Sequence, residues 1–195
     1  MTQGYETVIS DEQGYINSWY VFHVKSGDET KARNNLVRIC ERKDIKLNFV
    51  IPTAIKFIKK EKQRIKSYKT VFPGYVFANG IIDVEIYNIL KGIPSVYRLL
   101  RDRSTFTLLP VPAEEMELLA GIMNVHGVIE APEVSFKEGQ SAVITKGPLT
   151  SFKGKIVSVD KHKSKLTLLV PFLGEERRVE IGFLFAESID QEVSG

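Results

Sequence analysis

A single cysteine, Cys40, rules out an intramolecular disulfide, so no disulfide framework holds this fold together. Histidine is nearly as scarce: His23, His126 and His162 are scattered, and none stands at metal-ligand spacing from Cys40. No apolar run approaches the roughly 20 residues of a membrane-spanning helix. The N-terminus lacks the basic and then apolar pattern of a secretory leader. A cytoplasmic protein with no membrane partner is expected. An excess of one charge is also missing: 27 Lys and Arg oppose 24 Asp and Glu, a net +3. The chain is therefore no polycation, and any nucleic-acid contact must come from local clusters. Phosphate-binding loops, dinucleotide fingerprints and nucleophile elbows are absent. Adjacent carboxylates such as Glu114-Glu115 and Glu175-Glu176 point apart on a helix or a strand. Neither an enzyme nor a cofactor is expected.

What is present is an ordinary globular composition, 43% apolar over 195 residues, enough for one large or two small domains. Residues 1–17 are polar and aperiodic and read as a mobile extension. Ser18–Lys25 alternates as a strand, with Trp19, Val21 and His23 on one face and Tyr20, Phe22 and Val24 on the other. Asp28 is placed to cap a helix whose buried stripe is Ala32, Leu36, Ile39 and Cys40. Leu47–Ile51 follows as a strand, and residues 53–70 as a hairpin. Val71–Gly80 is the central stretch, a Phe-Pro-Gly break followed by the strand-forming run Tyr75-Val76-Phe77. Asp83 caps a short helix, Val96–Leu100 is another strand, and Pro112 opens a helix striped with Met116, Leu119, Ala120 and Met123. Strands in this order with interspersed helices indicate an α+β fold, an antiparallel sheet flanked by helices.

Residues 124–135, with Gly127 and Pro132, read as a linker between a domain at 18–123 and a second at 136–190. In the second, five short strands alternate with turns: Ser141–Thr145, Gly154–Val159, Lys165–Pro171, Arg177–Ile181 and Leu184–Ala186. That spacing suggests a small barrel. Two basic clusters stand out. The hairpin carries Lys56, Lys59, Lys60, Lys62, Arg64, Lys66 and Lys69 against only Glu61. The barrel carries Lys146, Lys153, Lys155, Lys161, Lys163, Lys165, Arg177 and Arg178 in or beside its turns. Both fit a phosphate contact through counterion release, and both equally fit a solvated surface. Trp19, Tyr20, Phe72 and Tyr75 fit a core, or an apolar patch for a protein partner.

Taken in order, Trp19-Tyr20-Val21, the Phe72-Pro73-Gly74-Tyr75-Val76 strand and the segment Gly139–Ile156 resemble the NusG family of transcription elongation factors. Gly147, Pro148, Phe152 and Gly154 match its KOW motif. The resemblance covers nearly all of Trp19–Ile189. It implies an N-terminal NGN domain of ferredoxin- or RNP-like fold and a C-terminal five-stranded SH3-like KOW barrel. It also implies a monomer that docks on the clamp helices of RNA polymerase through an apolar depression around Phe72, with Tyr20, Pro73 and Tyr75 beside it. A nascent RNA hairpin is the partner implied for the basic barrel. Non-template DNA is a further candidate, although Gly92-Ile93 replaces the Asn-Thr that reads this strand in some members. Where the family often has Phe-Gly-Arg for ribosomal protein S10 or Rho, this chain has Leu173-Gly174-Glu175, which argues against those two partners. Phe172-Leu173-Gly174 with Arg177-Arg178-Val179 resembles the specialised antitermination branch LoaP.

Overall fold

The computed structural model describes residues 18–61, 63–99, 110–136, 142–152 and 154–186. In chain order the elements are β1 (Ser18–Val24), α1 (Glu29–Lys43), β2 (Leu47–Val50), β3 (Thr53–Lys60), β4 (Gln63–Thr70), β5 (Tyr75–Gly80), α2 (Val84–Leu90), β6 (Val96–Leu99) and α3 (Ala113–Ala120). They continue as β7 (Val128–Ile129), β8 (Glu133–Ser135), β9 (Val143–Lys146), a 3₁₀ turn at Pro148–Ser151, β10 (Lys155–Asp160), β11 (Lys165–Phe172), β12 (Glu175–Gly182) and β13 (Leu184–Phe185). The fold is α+β, as the strand and helix patterns indicate. Two compact units divide the chain. One is the described part of Met1–Pro52 with Thr70–Glu117; the other is Thr53–Lys69 with the described residues from Leu118 onward. Chain order puts the β3–β4 hairpin inside the expected 18–123 domain, whereas its contacts group it with the C-terminal strands.

The first unit is built on a four-stranded antiparallel sheet in the order β2-β5-β1-β6. Alternation sends Tyr20, Phe22 and Val24 of β1 and Val76 and Ala78 of β5 to one face. There they form a core with Ala32, Leu36 and Cys40 of α1 and with Leu90 of α2. Phe22 meets Phe49 of β2 edge-on at 5.9 Å between ring centroids. Burial of this kind stabilises by about 1.5–3 kcal/mol for each large side chain. It also pushes the Cys40 thiol up to about 11, so Cys40 acts as a small core residue. Trp19, Val21 and Phe77 on the opposite face are buried as well. The sheet therefore does not present a wholly bare face.

Two helix caps turn out differently. Asp83 caps α2 as expected, its Oδ1 accepting from the Ile86 N–H at 2.7 Å. Asp28 makes no side-chain cap for α1. Its neighbour Glu29 takes the acceptor role, reaching back to the Gly27 N–H at 3.0 Å.

In the second unit, β10-β11-β12 and β13-β8-β9 form two three-stranded sheets, and β4-β3-β7 forms a third. All five expected barrel strands form, as β9 to β13. The stretch expected as a linker is not structureless. Asn124 folds it into a turn by accepting the His126 and Val128 N–H groups on Oδ1, each at 3.0 Å. It then supplies β7 alongside β3 and β8 between β13 and β9. The KOW-like glycines have steric causes. A Cβ on Gly147 (φ 106°) would lie 3.0 Å from the Cα of Pro132, and one on Gly154 would run into the Phe152 ring. β11 and β12 pair from Phe172↔Glu175 upward, leaving Leu173-Gly174 as a two-residue turn with φ values of 55° and 77°. Positive φ at both positions is what such hairpins require.

Candidate functional site

The central Phe-Pro-Gly stretch is a locked turn. The Tyr75 N–H donates to the Phe72 carbonyl at 3.2 Å, and Gly74 has φ 85°. Pro followed by a positive-φ Gly is the pattern of a type II turn. The Gly74 carbonyl accepts from the Val24 N–H at 2.8 Å, which ties the turn to the end of β1. The Gly74 N–H donates to Glu29 Oε1 at 2.7 Å, which ties it to the start of α1. Glu29 is only 6% exposed. Burial by itself would raise its pKa, but N–H groups of Gly27, Gly74 and Glu29 itself outweigh burial and hold the carboxyl below its usual range. The carboxylate thus fixes the loop that carries Pro73.

Around this turn the four expected docking residues separate. Phe72 is 4% exposed and packs on Phe77 with ring centroids 5.7 Å apart. Tyr20 is 8% exposed and belongs to the core on the other face of the sheet, where burial raises its hydroxyl pKa. Pro73 is exposed and Tyr75 half-buried. Tyr75 does not stand alone: His23 lies between it and Tyr97, at 5.4 and 5.6 Å between ring centroids. Tyr97 is 61% exposed. A row of three rings therefore crosses β5, β1 and β6, next to an exposed proline. The sequence reading missed His23 and Tyr97 as members of this row. Strand register aligns His23 with Tyr75, and a register shift between His23 and Val24, which pair with Arg98 and Val96, places Tyr97 at the irregularity of the β1–β6 pairing.

The basic residues also sort by position. Lys146 is exposed and 3.4 Å from Glu133. Arg177 pairs with Glu175 at 2.8 Å on β12, and Arg178 beside it is exposed. Lys155 is exposed on β10, and Lys153 lies outside the described residues. Lys161 and Lys163 occupy the β10–β11 turn and Lys165 starts β11. That turn is ordered by Asp160, whose Oδ1 accepts the Lys163 N–H at 2.9 Å, a bond that lowers the Asp160 pKa.

Lys161, Lys163 and Lys165 meet the second basic cluster. With Lys56, Lys59 and Arg64 of the hairpin they line one cleft of about 620 Å³. Phe57, Phe185 and His162 complete much of its wall, and Glu180 is the sole carboxylate among the described residues that line it. Glu180 accepts from Lys165 Nζ and from Lys56 Nζ, each at 2.6 Å. These two bonds, that from Lys165 first, bring its carboxyl down to about 2. Arg64 sits over the Phe57 ring at 4.7 Å and Lys161 over Phe136 at 4.3 Å. Lys146, Lys155, Arg177 and Arg178 do not line the cleft. Gly182 permits the approach: a Cβ there would lie 2.8 Å from the Phe57 ring and 3.1 Å from the Ile55 carbonyl. Among the described residues no group of three or more His, Cys, Asp or Glu could hold a metal ion. No described helix is long and apolar enough to cross a membrane.

Comparison with known proteins agrees with this architecture. The NusG family model, described as transcription termination factor nusG, matches residues 17–120. A Synechocystis protein named transcription termination/antitermination protein NusG is 27% identical over 180 residues, 87% of this chain and 88% of that protein. The Escherichia coli protein of the same name is 25% identical over 168 residues, 85% and 92% of the two chains. A solved structure described as domain interaction in Thermotoga maritima NusG has a TM-score of 0.52 at 27% identity, covering 85% of this chain and 93% of that one. Since the family model spans more than half of the 195 residues, the protein belongs to the NusG family.

Proposed function

We propose that the protein is a non-enzymatic transcription elongation factor that binds RNA polymerase, suppresses pausing and termination, and contacts structured nascent RNA. In this reading residues 18–123 are the NGN domain and 136–190 the KOW domain, joined at 124–135. The observation that carries polymerase docking is the row Tyr75–His23–Tyr97 beside exposed Pro73, on the segment matched by the family model. Half-exposed aromatics on a rigid sheet supply contact area at little entropic cost and are common interface anchors. Phe72 and Tyr20, being buried, serve docking by holding this surface in shape rather than by direct contact area. A factor bridging the polymerase clamp across the nucleic-acid channel would oppose clamp opening, and pausing would fall with it.

The test is capture by purified bacterial RNA polymerase at low salt, with in vitro transcription through a terminator. Binding and increased read-through are expected. Tyr75→Ala with Tyr97→Ala should weaken binding by about 2 kcal/mol or more while the fold persists. Absence of binding by the unmodified chain would sink the reading.

The RNA contact is supported by the surplus of cations on the C-terminal strands and turns. An operon-specific, LoaP-like role is supported by the β11–β12 tip, where Leu173 is half-buried and Phe172 is buried at 2% exposure. The tip therefore does not present the phenylalanine ring expected for ribosomal protein S10 or Rho. A general role in transcription termination and antitermination is the second reading, favoured by the names of the relatives. Binding of a leader hairpin in preference to a scrambled hairpin supports the specific role; equal affinity supports the general one.

A further inference from the structure

Parts of the two basic clusters, far apart in the chain, line the same cleft. Among the described residues six Lys and Arg side chains face one carboxylate there, and that carboxylate is already shared by Lys56 and Lys165. The surplus lies with Lys59 and Arg64 on the hairpin and with Lys161 and Lys163 on the opposing turn. Like charges held on two walls of one cleft repel each other. A phosphodiester chain between the walls would relieve that repulsion and release condensed ions as it bound.

The cleft also specifies the form of the strand. Its wall includes Phe185, which is 49% exposed, and Phe57 with Arg64 over its ring. Ring faces are useful to a polynucleotide only where its own bases are unstacked, because a duplex hides them. A volume of about 620 Å³ is of the size that holds a small-molecule ligand, too small for a double helix. We infer that this cleft holds unpaired nucleotides of the RNA, with phosphates between the β3–β4 hairpin and the β10–β11 turn and a base against Phe185. The inference deepens the RNA-binding reading above and rests on it. It adds that the hairpin, an element outside the expected KOW domain, forms one wall of the site.

The test uses the full chain, fluorescence anisotropy and three probes: an oligouridylate, a blunt RNA duplex and an oligothymidylate. The unmodified protein should bind oligouridylate at least about tenfold tighter than the duplex, and tighter than oligothymidylate. Lys59→Gln with Arg64→Gln should weaken oligouridylate binding about tenfold. For every phosphate no longer neutralised, the log–log salt slope should also become shallower by about 0.7. Phe185→Leu should weaken binding with the slope unchanged, because it removes a ring and no charge. Arg42→Gln with Lys43→Gln, exposed at the end of α1 and outside the cleft, should leave oligouridylate binding within about twofold. If the hairpin variants bind like the unmodified chain while Arg177→Gln with Arg178→Gln, on β12 outside the cleft, loses binding, the cleft is overturned and the RNA reading stands. If the unmodified chain binds neither oligouridylate nor a leader hairpin, both fall. Tighter binding of oligothymidylate would overturn RNA as the occupant.

Discussion

Two glutamates, one in each unit, do similar jobs by different means. Glu29 is buried and its carboxylate accepts from backbone N–H groups, tying α1 to the Pro73-Gly74 turn. Glu180 is 40% exposed at its side chain and accepts from two lysines, tying the β3–β4 hairpin to β11 and β12. Backbone donors carry no net charge, cannot lose a proton in the working pH range, and are screened little by salt. Ammonium donors on long side chains are screened by salt and cost entropy to hold still. The turn beside the aromatic row is therefore a fixed feature. The link between hairpin and barrel strands responds to its surroundings.

The largest effect should come from Glu29→Ala. It leaves the Gly74 N–H buried without its acceptor, at a cost of about 2–3 kcal/mol. Urea unfolding should show this loss at both low and high salt; a loss that disappears in high salt would remove the distinction between the two sites. Glu180→Gln should cost less than about 1 kcal/mol at low salt and nothing measurable at high salt. The smallest difference is in pH dependence. The Glu180 carboxyl falls from an ordinary 4.5 to about 2 in the folded chain. Its contribution is thus fully present above 4.5 and disappears as pH falls toward about 2. The stability gap between the unmodified chain and Glu180→Gln should close across that window; a gap that is constant with pH would rule out the double lysine bond as its source.

Much of this was written in local patterns. Alternation in Trp19–Val24 announces β1, Asp83 announces α2, and Phe72-Pro73-Gly74 announces a turn before β5. What was hidden depends on partners distant in sequence. Nothing local distinguishes Asp28 from Glu29 as the residue that bonds the turn, because the Gly74 donor is 45 positions away. His23 and Tyr97 meet only where the β1–β6 pairing shifts register, between His23↔Arg98 and Val24↔Val96, which no local pattern announces. The stretch 124–135 looks like a linker because β7 and β8 are only two and three residues long, too short for periodicity to show. The charge clusters were visible, but their meeting at Glu180 was not, since Lys56 and Glu180 are 124 positions apart.

That last separation has a consequence for synthesis. The hairpin Thr53–Lys69 is made early, in the middle of the first unit's sequence, yet β3 packs against β12, near the end of the described chain. At about 5–20 residues per second, a ribosome takes roughly 6–25 s to add the intervening 124 residues. Until it ends Ile55 and Phe57 have no Gly182 beside them, and for the earlier part of it, before β7 is made, β3 has only β4 as a strand neighbour. Basic residues such as those of the hairpin are the kind that keep an uncovered strand from pairing with another chain.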